Sequence, residues 1–347
     1  MKKIILIILL LIATIVMSGC VKVKKTVPID GGIFKSIDSG ESWHQKVFIS
    51  RTKTGVSTIG SVTTYYIQFS PNDYNTIYLT TNQNGIFATN DGAETWTSIS
   101  LSSGTYRSLA IDPTNNDIVY TTRDNTIIKS IDGMKTWDTI YVEQRPGQSM
   151  ASVAISNFDT SNIYTTTDTS LLKSTDYGVT WKVIKWLDKN SYRIYLSKKD
   201  SKTIFLVTKT NGLMKSIDGG ENWQSLNKDL GKSVSAKKIN FFYYQTENDL
   251  MMMATDFGIF KSINNGENWT LINTLTKGLT FPTVAINPQN QNEIYYTIGH
   301  IIYKTLDGGN TWKTIDTIPT TRPINFILVD PQNPSTLYLG TSAPPSK

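Results

Sequence analysis

An eight-residue signature recurs seven times in this chain: a hydroxyl residue, Asp or its amide two positions later, Gly four later in five of the seven copies and Trp seven later. The copies start at Ser36, Thr89, Ser130, Ser174, Ser216, Ser262 and Thr305 and end at Trp43, Trp96, Trp137, Trp181, Trp223, Trp269 and Trp312. Successive Trp residues stand 53, 41, 44, 42, 46 and 43 positions apart. A period in the low forties, with short β-rich segments between turn signals, marks a ring of four-stranded blades. The chain therefore reads as an all-β, seven-bladed β-propeller, and seven of its eight Trp residues are assigned to structure.

Each unit reads as two strands, a polar turn and two more strands. The first pair is clearest in Leu109 to Thr122, Val284 to Thr297 and Ile327 to Thr341, where apolar runs flank a turn rich in Asp, Pro and Asn. Pro fixes φ and Asx side chains bond their own backbone, so these are hairpin signals. The second pair holds the signature. Its Asp can accept turn amides, its hydroxyl can bond across the turn, and Gly takes a positive φ. The Trp supplies apolar area between blades. Asn264 replaces Asp but keeps an acceptor oxygen. Ala93 and Met134 stand at the Gly position, with Gly92 and Gly133 one residue earlier, so those two turns are expected to differ in backbone detail. Lys precedes the hydroxyl in six units (Lys35, Lys129, Lys173, Lys215, Lys261, Lys304), which reads as a solvated strand face.

The first signature has no strand pair before it, whereas Phe326 to Thr341 forms a pair with no signature after it. The C-terminal strands are therefore expected to join Gly31 to Trp43 in one composite blade that closes the ring and removes its open edges.

Ahead of the repeats, Lys2 and Lys3 precede an apolar stretch from Ile4 to Met17 and then the only Cys. That stretch falls short of the roughly 20 residues of a spanning helix and suits a secretory leader. Met17-Ser18-Gly19-Cys20 resembles the bacterial lipobox, which implies cleavage before Cys20 and its acylation. The expected division is a leader at 1–19, a lipid-anchored linker at 20–30 and the propeller at 31–347, placed in the cell envelope on the extracytoplasmic side of the outer or plasma membrane. The mature chain then has no free thiol for disulfides or thiolate chemistry. The formal charge of +6 is concentrated at the start, and beyond position 30 there are 29 basic and 27 acidic residues. Such a body lacks the attraction that drives nucleic-acid binding. Lys22, Lys24 and Lys25 suit anionic headgroups.

The unit GIFKSxDGGxxW resembles the Asp-box (BNR) repeat of sialidases, xyloglucan-cleaving glycosidases, sortilin N-terminal domains and photosystem II stability/assembly factors. The resemblance covers Gly31 to Thr341. It implies that the boxes lie in turns remote from the functional face. Sialidases carry an N-terminal Arg motif that is missing here, and sortilin-like domains have ten blades. The photosystem II factors match best, as single seven-bladed propellers with an Arg patch. The resemblance thus implies a non-catalytic, monomeric binding or assembly scaffold that takes a protein, peptide or anionic glycan. The alternative is a glycoside hydrolase, sialidase-like or xyloglucanase-like, acting on extracellular glycans.

If the signature turns mark one face, strand alternation puts two other loop classes on the opposite face: those joining second to third strands, and those leading to the next blade. All six Arg residues fall in or beside them: Arg51, Arg107, Arg123, Arg145, Arg193 and Arg322. Arg offers a planar fork for carboxylate or phosphate, so these positions read either as an anion-binding face or as charge on long solvent-exposed loops. Trp186, outside the signatures, is either an exposed platform or packed beneath its loop. Glu143, Asp188 and Asp256 are the acids a glycosidase would use. Tyr106, Asp124 and His300 share these loops, and His300 has no partner at ligand spacing, so no metal or cofactor is expected. Gly231, Lys232 and Ser233 mimic the end of a phosphate loop, but Leu226 stands where its first Gly belongs.

Overall fold

The computed structural model describes residues 30–342 except 54, 100–102, 188–190, 209–211, 231–236 and 246–247. Seven four-stranded antiparallel sheets form the blades, and one extra two-stranded hairpin stands apart. Blades 1 to 6 follow the chain at residues 64–99, 109–142, 150–186, 191–225, 239–272 and 284–315. Blade 7 is composite: Ile324–Val329 lies innermost, then Leu337–Thr341, then Ile33–Ser36, with His44–Gln45 outermost. Its seam pairs Ile33 with Gly340 and Ser36 with Leu337. The extra hairpin, Phe48–Thr52 with Gly55–Thr58, sits in the connection to blade 1 and explains the long first interval of 53 residues between Trp43 and Trp96.

The core is divided among the seams between blades. Seven buried apolar clusters occur among the described residues, and each draws on two neighbouring blades. Phe326 and Tyr338 of blade 7 share one with Leu79 and Trp96 of blade 1, so the last seam is packed like the others. Every blade is thereby held from both sides, and burial at the seams supplies the main favourable term.

The signature turns link the third and fourth strands of each blade, and their bonding explains the residue choice. In blade 7, Ser36 Oγ donates to Asp38 Oδ1 at 2.7 Å and accepts from Gly40 N at 2.8 Å. Asp38 accepts from Ser42 N at 2.9 Å and Ser42 Oγ at 2.6 Å, and Trp43 Nε1 donates to Gly40 O at 3.0 Å. A fifth position therefore belongs to the motif. The residue before Trp, as at Thr95, Thr136, Thr180, Asn222 and Thr311, bonds the acid with its backbone and side chain, whereas Asn268 bonds Asn264 through its backbone.

Two sequence expectations need correction. Ala93 and Met134 do not change their turns: they adopt φ of 74° and 68° themselves, following Gly92 and Gly133 at 67° and 70°. The same pair of left-handed residues occurs at Ser39 and Gly40 and at Tyr177 and Gly178, so the hydrogen-bonded frame overrides the preference of the side chain. The lysines before the hydroxyls are not simply a solvated face. Lys35 lies over the Tyr338 ring and donates to Gly92 O of the next blade at 2.8 Å. Lys129 does the same over Tyr120 to Tyr177 O at 3.2 Å, and Lys304 over Tyr295 to Ser39 O at 3.0 Å. These long stems lie along apolar surface while the ammonium clasps the adjacent blade.

Candidate functional site

Ser39 N donates to Ser335 O, which puts the turn between first and second strands on the same face as the signature turn. The other two loop classes define the opposite, loop face. That face surrounds one mouth of the central channel, which the seven innermost strands line.

The six Arg residues divide into different roles there. Arg51 is exposed on the extra hairpin. Arg322 is a strut: its Nε donates to Asp30 Oδ1 at 2.7 Å and its Nη1 to Gly60 O at 3.0 Å. Arg145 is a second strut, forked onto the buried Glu143 at 2.9 and 2.8 Å and bonded to Ser170 Oγ at 2.8 Å. The forked bond from Arg145 holds the Glu143 carboxyl below its ordinary range. Trp186, 65% exposed, carries the Arg145 guanidinium 4.8 Å from its ring centroid, so its indole stands at the surface with one face covered.

The remaining three gather around residues 104–107. Arg107 lies in that segment and donates to Ser149 Oγ at 2.5 Å, which in turn donates to Asp168 Oδ2 at 3.1 Å. Arg123 packs so closely on Gly104 that an added Cβ would stand 2.8 Å from its Cγ. Arg193 reaches over from blade 4 and donates to Arg107 O at 3.2 Å. It belongs to the innermost strand Ser191–Leu196 and not to a loop, and it is buried. Its guanidinium lies 3.8 Å from the ring centroid of Tyr66, in the innermost strand of blade 1.

Blades 1 and 4 stand across the ring from each other, so the Arg193–Tyr66 stack bridges the channel and divides it. One lobe, about 350 Å³, is walled by blades 1, 4, 5 and 7 and is rich in rings, including Phe69, Tyr195, Phe241 and Tyr243. The other, about 200 Å³, is walled by blades 1 to 4 with small side chains such as Ser108, Ala110, Ser152 and Ala154. Volumes in this range suit a side chain or a small ligand and not a long polymer inside the channel.

Other candidate residues are dispersed. Tyr106 is fully buried in a seam, where it packs and does not reach a ligand. Asp124 accepts from Thr105 N at 3.0 Å. Asp256 accepts from Asn240 Nδ2 at 3.0 Å and pairs with Lys238 at 3.8 Å. His300 is exposed between the second and third strands of blade 6. Among the described residues, no group of three or more His, Cys, Asp or Glu is arranged to hold a metal. Cys20, Asp188, Gly231, Lys232 and Ser233 lie outside the described residues. Sequence reasoning missed Tyr66 and the ring-rich lobe. Their signal was the aromatic bias of Thr64–Phe69 and Ile239–Gln245 against the aliphatic Met150–Ile155.

Fold and site together define an Asp-box propeller with cations assembled at the mouth of a divided channel. The chain belongs to the family described as photosynthesis system II assembly factor YCF48, whose model matches residues 54–186 and 179–325. No curated protein matches it by sequence. Among solved structures it is similar to YCF48 from Cyanidioschyzon merolae, with 15% identity, a TM-score of 0.62 and coverage of 81% of this chain and 96% of that one. A structure of YCF48 bound to D1 peptide is 17% identical, with a TM-score of 0.61 and coverage of 81% and 94%. The GH74 xyloglucanase from Xanthomonas campestris has a TM-score of 0.67 and 14% identity, covering 87% of this chain, which spans only 52% of that enzyme. At these identities the likenesses show the fold.

Proposed function

We propose that this protein is a non-catalytic scaffold, lipid-anchored at Cys20 on the extracytoplasmic side of the cell envelope, that captures an acidic peptide segment of a client on the loop face. The observation that carries this reading is the convergence of Arg107, Arg123 and Arg193 on residues 104–107 at the channel mouth. Family membership supports it, since a YCF48 structure is described as bound to D1 peptide. Guanidinium forks recognise carboxylates through paired, charge-assisted bonds. The adjoining lobe offers rings for an apolar neighbour on the same peptide.

Replacing Arg107 and Arg123 together by Ala is the direct test, read as the affinity for an immobilised array of acidic peptides. Binding should weaken roughly tenfold or more, equivalent to about 1.4 kcal/mol, and the wild-type affinity should fall steeply with salt. Unchanged affinity in the double variant contradicts the reading.

The likeness to a xyloglucanase fold favours a second reading, glycoside hydrolysis. A general acid needs a raised pKa, whereas Glu143 is held low by its fork to Arg145. Incubation with aryl glycosides and xyloglucan oligosaccharides separates the two, and turnover that disappears with Glu143→Gln, Asp188→Asn or Asp256→Asn would establish the enzyme.

A further inference from the structure

We propose that the ring-lined lobe of the channel is a binding pocket for one aromatic ring carried close to a carboxylate. The ring comes either from a Phe, Tyr or Trp beside an acid of the client or from a free aromatic acid, and only the first source rests on the peptide-capture reading. The repeat itself does not demand such a pocket. The innermost strands of blades 2, 3 and 6, Leu109–Ile111, Met150–Ile155 and Val284–Asn287, line the same channel with no aromatic residue. Those of blades 1, 4 and 5 instead place Tyr66, Tyr195, Phe241 and Tyr243 around a cavity of about 350 Å³. All four of these rings are only half-buried, so the seams do not use up their surface.

Two of the walls are set in advance. Tyr195 Oη donates to Phe242 O at 2.8 Å, and its ring meets that of Phe242 edge-on with 5.0 Å between centroids. Tyr66 is held under the Arg193 guanidinium. Rings fixed in this way lose little freedom when a ligand arrives, and they offer edge-to-face and offset contacts that another ring returns more fully than an aliphatic chain does. Charge then selects among rings. Among the described residues, the lining of the lobe includes two cations, Arg193 and Lys198, and no Asp or Glu, so an anionic ring is favoured over a cationic one. Depth places that charge. Arg193 and Tyr66 are each the third residue of a strand that begins at the loop face, whereas Tyr195 lies two residues deeper, about 7 Å along a strand. Arg193 Nη2 also donates to Arg107 O at 3.2 Å, which joins the mouth of the lobe to the segment at 104–107. A carboxylate at that mouth therefore sits above its ring, a distance that an extended chain covers in one to three residues.

The test titrates the protein with phenylpropionate, cyclohexylpropionate and phenethylamine by ligand-observed NMR, alongside acidic peptides that carry Phe, Leu or Ala one to three residues from the acid. Phenylpropionate should bind about fivefold more tightly than its cyclohexyl counterpart, with phenethylamine the weakest of the three. Two variants mark the place: Gln68→Trp fills the lobe from blade 1, and Tyr243→Leu removes a ring while keeping an apolar wall. Each should erase the preference for a ring. A preference for Phe among the peptides identifies the client as the source, and a ring preference confined to the free acids identifies a small molecule. Acidic peptides that fail to bind at all overturn the capture reading, and the small acids alone then decide the lobe. No ring preference in either series, or a preference that survives both variants, overturns the proposal.

Discussion

Arg145 and Arg107 show how one residue type serves two ends. Arg145 neutralises Glu143, whose side chain is 3% exposed, and spends its remaining donors on Thr167, Thr169 and Ser170. Removing it leaves an almost buried carboxylate without its counter-charge, so Arg145→Ala should destabilise the protein by about 2 kcal/mol or more. Arg107→Ala should stay within about 0.5 kcal/mol of wild type, because it unmakes only a partly exposed bond to Ser149. Urea denaturation of both variants checks the division, and equal losses would contradict it. None of this was legible in the chain itself. The placement of Arg residues outside the signature turns was readable from strand alternation, but whether each was strut or receptor depends on partners set by tertiary packing. Arg193 is the extreme case, since its ring partner Tyr66 lies across the channel and 127 positions away in sequence.

The signature turn is the element whose chemistry was most fully written locally. Its hydroxyl and acid bond within eight residues, so spacing alone specified them, while the Trp indole bonds its own turn at Trp43 but the preceding connection at Trp96 and Trp269. The left-handed backbone at Ala93 and Met134 was not specified, because seam packing and the hydroxyl acceptor impose it. The lysine clasps were also hidden, since each depends on a strand register that sets Lys35 beside Tyr338 or Lys304 beside Tyr295. The turns make the fold sensitive to acid. Bonds from the residue before Trp hold Asp38, Asp132, Asp176 and Asp218 near 2, and Asp307 is likewise pushed down. In the unfolded chain such groups titrate near 4, so the unfolded state takes up protons first. Stability from these carboxylates is complete above about pH 4 and is lost as pH falls toward about 2. The urea midpoint should therefore drop across that window, and Asn264→Asp, which restores the acid in blade 5, should steepen the drop. A flat profile would contradict this account of the turns.

At the scale of the whole molecule, the ring was legible because its period is carried by seven Trp-ended motifs, and its closure because one strand pair was missing at one end and left over at the other. The divided channel was not legible, because it arises only when seven innermost strands are brought around a common axis. Closure and polarity together give the molecule two unlike faces. One carries the acid-bonded turns and a set of exposed aliphatics such as Ile37, Ile131, Ile217, Ile263 and Leu306. The other carries the Arg322–Asp30 strut and Arg107, Arg123 and Arg193 gathered around residues 104–107. Amide hydrogen exchange with and without a captured acidic peptide distinguishes these faces in one experiment. The account predicts slowed exchange at residues 104–107, 123–126 and 147–150, with no change in the seven signature turns; protection confined to those turns, or spread evenly over both faces, would contradict it.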